Sequence, residues 1–173
     1  METFLEILKY ILPALVVFIT VYFLMKHYLD QQYKLSSLEL RKQQYDNMLP
    51  LKLQAYERLA MFCERISVDN LSYRLTNSSS DAKSLSNAML VAIQQEWEHN
   101  LSQQIYVSDK LWDIISLSKS NVQAVISQAS SELETSSSPA TLINKIMAIQ
   151  AGNGIDSVIA ARKAIKEETQ LLF

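Results

Sequence analysis

Apolar and polar positions fall into two regimes along this chain. From Tyr10 to Met25 sixteen consecutive residues carry no charge, and Thr20 is the only strongly polar side chain among them apart from tyrosine hydroxyls. From Lys26 onward apolar residues recur three or four positions apart with polar residues between them, the spacing of amphipathic helices. The first regime predicts a helix solvated by hydrocarbon, and the second predicts helices that bury one face.

Sixteen helical residues rise about 24 Å, against a hydrocarbon core of about 30 Å. Lys9 and Lys26 close the difference if their ammonium groups snorkel to the headgroups. Tyr10, Tyr22 and Tyr28 suit the interfacial belts, and Pro13 lies near the helix start, where its missing N–H costs least. A cleaved signal peptide would need a basic n-region and a small-residue exit. The n-region here holds Glu2 and Glu6, and Met25-Lys26-His27-Tyr28 offers no such exit. A buried helix of a soluble protein would break its apolar run more often. Residues 10–25 therefore read as a single-pass anchor in the lipid bilayer. Lys26, Lys34, Arg41 and Lys42 follow it, and Lys9 alone precedes it. The positive-inside bias then puts residues 1–9 outside as a short tail and the carboxyl-terminal part in the cytoplasm.

Good helix formers without Gly or Pro run from Lys26 to Asn47, so the membrane helix is expected to continue as a stalk over residues 26–49. Leu35, Leu38, Lys42, Tyr45 and Leu49 follow 3-4-3-4 spacing, a short a/d seam with one lysine in it. Two readings stay open: a dimerising stalk, or a stripe packed on the chain's own domain. Pro50 biases Leu49 away from helical geometry, which predicts a break or kink there and a new helix from Pro50 to Ile66. That helix carries Leu53, Tyr56, Leu59, Ala60, Phe62, Cys63 and Ile66 on a broad apolar face.

Further helices are expected over 81–104, 109–133, 139–150 and 155–171, after a short helical turn within 67–75. Ser80 or Asp81, Ser108 and Ser138 precede them as caps, the last with Pro139 at the first helical position. The predicted inward stripes are Leu85, Ala88, Met89, Ala92, Ile93, Trp97, Asn100 and Leu101; then Leu111, Ile115, Ser118, Val122, Val125 and Ala129. They continue with Leu142, Ile143, Ile146 and Met147, and finally Ile155, Val158, Ile159 and Ile165. Gly152-Asn153-Gly154 is expected to stop the fourth of these helices. Residues 50–173 thus read as a bundle of about five helices, and the fold class is all-α.

Composition supports this. Only two glycines occur among 173 residues, too few for a sheet protein with tight hairpin turns. After the anchor, fifteen Lys and Arg face sixteen Asp and Glu, so no basic domain is present to bind nucleic acid. Cys63 is the single cysteine, which rules out an internal disulfide and reads as a small core residue.

Chemistry is sparse. Glu96-Trp97-Glu98-His99 contains E-x-x-H, which in di-iron bundles places a carboxylate and an imidazole on one helix face. Such a site needs a second copy of the motif and two more glutamates, and His27 is the only other histidine. No G-x-S-x-G elbow and no Gly-rich phosphate loop occurs. No catalytic residue, metal ligand, cofactor or small-molecule substrate is therefore assigned. Trp97 and Trp112 could anchor a partner but lie at positions suited to core packing.

The segment Leu49 to Ile66, opening Leu49-Pro-Leu-Lys-Leu53, and the segment Glu96 to Ser108 behind an amino-terminal anchor resemble a family of uncharacterised bacterial membrane-anchored helical proteins. The resemblance covers most of the chain. It implies a bacterial inner-membrane setting and no site residues, and it points to Glu98–Gln104 as a place for a binding surface. Three functions are carried forward. The first is a membrane-anchored scaffold or accessory subunit binding an unknown protein partner. The second is a self-assembling homodimer. The third is a metal or enzymatic bundle using Glu96 and His99.

Overall fold

A computed structural model of the chain describes residues 2–134, 136–152 and 156–172, and excludes the side chains of residues 2–10 and Ala14. The expectations placed on the side chains of Lys9 and Tyr10 lie among those excluded, and Asn153, Gly154 and Ile155 lie outside the described residues. Among those described, the chain is all-helical with no strand. The elements are α1 (Glu2–Arg65), α2 (Val68–Leu75), α3 (Ala82–Asn100), α4 (Asp109–Ser131), α5 (Pro139–Gly152) and α6 (Ser157–Gln170), with 3-10 turns at Thr76–Ser78 and Leu101–Tyr106. The chain divides into two units, residues 1–49 and 50–173.

No break interrupts the helix at Pro50, and the helix expected to start there is part of α1. Proline at this point removes one bond, the one to the Asp46 carbonyl, and disfavours helix at Leu49. Asp46 is exposed, so water can satisfy that carbonyl, and strong helix formers flank the proline on both sides.

In the second unit, the carboxyl-terminal turns of α1 contribute Leu59, Phe62 and Cys63 to one core, and Ile66 just after the helix joins them. That core also takes Leu71 of α2, Leu85, Met89 and Ile93 of α3, and Leu111, Ile115 and Ile126 of α4. Leu142 and Ile146 of α5 and Val158, Ala161 and Ile165 of α6 complete it. Helix α4 is central, packing against α3, α5 and α6. Each helix start after α1 is capped locally. Asp81 accepts from the Ser84 N–H at 2.8 Å, Ser108 from Leu111 at 3.2 Å, Ser138 from Thr141 at 3.3 Å and Asp156 from Val158 at 2.8 Å. Ser67 does the same for α2 through the Asn70 N–H.

Several inward positions shift. On α4 the expected Val125 is half-buried while Ile126 is fully buried. Strict 3-4 alternation tracks 3.5 residues per turn, and a straight helix at 3.6 needs an occasional second step of four. Ile159 is 60 % exposed and Met147 44 % exposed, because Val158, Ala161 and Ile165 on α6, and Leu142 and Ile146 on α5, already form the buried stripes. Helix α3 ends at Asn100, not Gln104. The Asn100 amide donates to the Glu96 carbonyl at 2.8 Å, and the backbone tightens into the 3-10 turn that follows.

Candidate functional site

The apolar segment is the most unusual surface of the chain. Twelve large apolar side chains between Ile11 and Met25 are 43–72 % exposed. At about 1.5–3 kcal/mol per side chain fully buried, leaving half of this surface in water forgoes on the order of 10 kcal/mol. The α1 stretch from Ile11 is long and apolar enough to cross a membrane, and none of its apolar window is buried by protein. Its one polar side chain is already satisfied, as the Thr20 hydroxyl donates to the Val16 carbonyl at 2.8 Å. Hydrocarbon demands such internal pairing because it offers no partner of its own.

Residues 26–49 are helical and, apart from half-buried Leu49, exposed. Tyr33, Leu35, Leu38 and Leu40 are each at least 60 % exposed. His27 and Gln31 share a hydrogen bond at 3.1 Å between their Nε2 atoms, one turn apart.

Three concave surfaces of the second unit are formed by described residues. An apolar groove of about 520 Å3 lies between α1 and α6, with Leu53, Tyr56, Ala60 and Ile165 in its wall and Arg162 and Lys166 beside them. Next to it Glu168 ties three elements together. Its Oε1 accepts from the Tyr56 hydroxyl at 3.0 Å and from the Ser108 N–H at 2.9 Å, and its Oε2 accepts from the Ser108 hydroxyl. Burial, then the hydrogen bond to Glu168 and that carboxylate's charge, push the Tyr56 phenol up to about 12. A more polar hollow of about 400 Å3 lies among Asn121, Val125, Gln128, Gln150 and Asp156.

The third surface, about 230 Å3, joins Arg58, Met61 and Arg65 of α1 to Glu96, His99 and Asn100 of α3. It brings both E-x-x-H residues to one place but commits the carboxylate elsewhere. Arg65 Nη1 lies 2.9 and 3.2 Å from the two Glu96 oxygens, and Arg74 Nη1 lies 3.6 Å from one of them. The His99 carbonyl accepts from Arg58 at 3.0 Å. Two guanidiniums facing one carboxylate form a structural clamp across α1, α2 and α3. No group of three or more His, Cys, Asp or Glu that could hold a metal occurs among the described residues.

Within Glu98–Gln104, Asn100 and Gln103 are buried, leaving Glu98, His99, Leu101, Ser102 and Gln104 at the surface. The two tryptophans stack on each other, with centroids 4.6 Å apart and planes at 27°. Phe62 lies 5.6 Å from Trp97, and the Lys119 ammonium sits 4.8 Å from the Trp97 ring centre. Both rings pack against the core, so they hold α1, α3 and α4 together. Burial, with the charge of Glu64, pushes the Cys63 thiol up to about 12 against a smaller opposing pull from Arg162. Sequence reasoning missed Glu168 and the Arg65–Glu96–Arg74 clamp, whose partners are far apart in the chain.

No curated protein and no solved structure matches the chain. The model of a family of unknown function, DUF7935, matches residues 2–172. With essentially the whole chain matched, this protein belongs to that family.

Proposed function

We propose that this chain is a single-pass protein of a bacterial inner membrane whose helical bundle binds another protein, as a scaffold or accessory subunit. The observation that carries this reading is the exposed apolar surface of residues 11–25, which hydrocarbon solvates without cost. The excess of Lys26, Lys34, Arg41 and Lys42 over Lys9 supports an outside amino terminus and a cytoplasmic bundle. The apolar α1–α6 groove, with cations at its rim, is the surface best suited to an apolar anchor from a partner.

The test is native mass spectrometry of the full-length protein extracted from its own membrane in mild detergent. Companion polypeptides in fixed stoichiometry are expected, and Ala60→Trp, which fills the groove, should release them. Only the 19.7 kDa chain or its multiples, with no companion, would contradict the proposal.

A further inference from the structure

We infer that residues 28–49 of the first unit pair with a second copy of this chain as a parallel, in-register, two-stranded coiled coil. In the heptad frame that holds Leu35, Lys42 and Leu49 at a, the d positions are Gln31, Leu38 and Tyr45, and Tyr28 takes the first a. Leu35 and Leu38, the apolar centre of this seam, are 64 % and 61 % exposed. Most helical stability in proteins comes from packing of an apolar face, so an exposed face of this kind calls for a partner.

The flanking charges select the occupant. The g positions carry Lys34 and Arg41, and the e positions carry Glu39 and Asp46. Each cation precedes an anion by five residues, a spacing at which side chains on one helix do not meet. Across a parallel two-stranded coil that spacing is the contact between g and the next e of the other strand. Lys34 then faces Glu39 of the second copy, and Arg41 faces its Asp46, with both pairs repeated by symmetry. None of these four residues forms an ion pair within the described residues of the chain. An antiparallel pair would instead bring g against g and e against e, placing cations on cations and carboxylates on carboxylates. The pattern therefore favours one orientation and opposes the other. Lys42 at a single a position weakens the seam but disfavours slipped registers and wider assemblies, since its ammonium must reach water at the edge of the pair.

Two copies anchored in one membrane with the same topology are parallel of necessity. This part of the argument rests on the proposed membrane reading, while the charge pattern stands without it.

The test is disulfide crosslinking of the full-length protein in its native membrane, with Cys63 left in place because it is buried. Gln31→Cys and Leu38→Cys, both at d, should each crosslink to their own counterparts, whereas Leu40→Cys, at the outward f position, should not. In the Gln31→Cys background, reversing the g cations (Lys34→Glu with Arg41→Glu) should cut the crosslinked fraction at least about fivefold. Reversing the e anions (Glu39→Lys with Asp46→Lys) should do the same, and co-expression of the two reversed chains should restore a mixed dimer. Equal crosslinking at residues 31 and 40, or crosslinking indifferent to charge reversal, overturns the inference, as does absence of any dimer. If the protein proves extractable as a soluble chain yet keeps this crosslinking pattern, the membrane reading fails and the coiled coil stands.

Discussion

Removing the Glu168 carboxylate should weaken the bundle by a predictable amount, in a predictable order. Three hydrogen bonds end on this carboxylate, from the Tyr56 hydroxyl, the Ser108 N–H and the Ser108 hydroxyl. Bonds to a charged acceptor contribute about 1.5–3 kcal/mol each when fully shielded. Ser108 is exposed and can exchange its bonds to water, whereas Tyr56 is 5 % exposed and loses its acceptor outright. Counting the Tyr56 bond in full and the Ser108 pair at a discount gives a loss of about 2–3 kcal/mol for Glu168→Ala. Glu168→Gln keeps a carbonyl for Tyr56 and the Ser108 N–H but turns an amide donor toward the Ser108 hydroxyl. That oxygen already accepts from Leu111 and still has a lone pair, so the loss is only the charge assistance, about 1 kcal/mol. The assay is urea unfolding of the full-length protein in mild detergent, followed by tryptophan fluorescence. Both tryptophans, Trp97 and Trp112, lie in the bundle. A double-mutant cycle with Tyr56→Phe should return a coupling of about 1.5–2 kcal/mol. Glu168→Ala within about 0.5 kcal/mol of the parent, or a coupling near zero, would refute the reasoning.

Three further outcomes are expected. The Ser118 hydroxyl is buried on α4 without a hydrogen-bond partner, so Ser118→Ala should raise stability by about 1 kcal/mol; a loss of that size in the same unfolding assay would show an unseen partner. Ile126→Ala should cost about 3 kcal/mol and Val125→Ala about 1 kcal/mol, and the reverse order would mean that the α4 face is misassigned. Stability should fall as pH rises from about 9 to about 12. The Cys63 thiol and Tyr56 phenol ionise near 9 and 10 in the unfolded chain but only near 12 in the folded one, so the folded state holds protons that the unfolded state has released. Alkaline unfolding midpoints should show a shallower slope in Tyr56→Phe, and an identical slope would rule the phenol out as a contributor.

Much of the fold could be read from the sequence because its determinants are local. Asp81, Ser108 and Ser138 cap their helices through N–H groups three residues on, and Leu85, Met89 and Ile93 share a face by periodicity alone. Pro50 misled because the rule against proline inside helices is a cost of a few kcal/mol, and neighbouring helix propensity with a hydrated carbonyl can offset it. Val125 and Ile159 misled because several apolar residues competed for one stripe and only the neighbouring helices decide which of them turns inward. Glu168 and the Glu96 clamp could not be read at all. Glu168 meets Ser108 and Tyr56 from 60 and 112 residues away, and Arg65 meets Glu96 from 31 away, so no spacing rule reaches them. For Glu96 the sequence offered only an incomplete E-x-x-H with His99, and the structure gives its carboxylate to Arg65 and Arg74.

The account depends most on hydrocarbon as the solvent of residues 11–25. Alkaline carbonate extraction of native membranes, with the intact 19.7 kDa chain followed in both fractions, tests this most directly. Retention in the membrane pellet, with release to the supernatant when Val17→Arg and Leu24→Arg are combined, is the predicted result. Release of the unsubstituted intact chain to the supernatant would contradict the anchor and the function built on it.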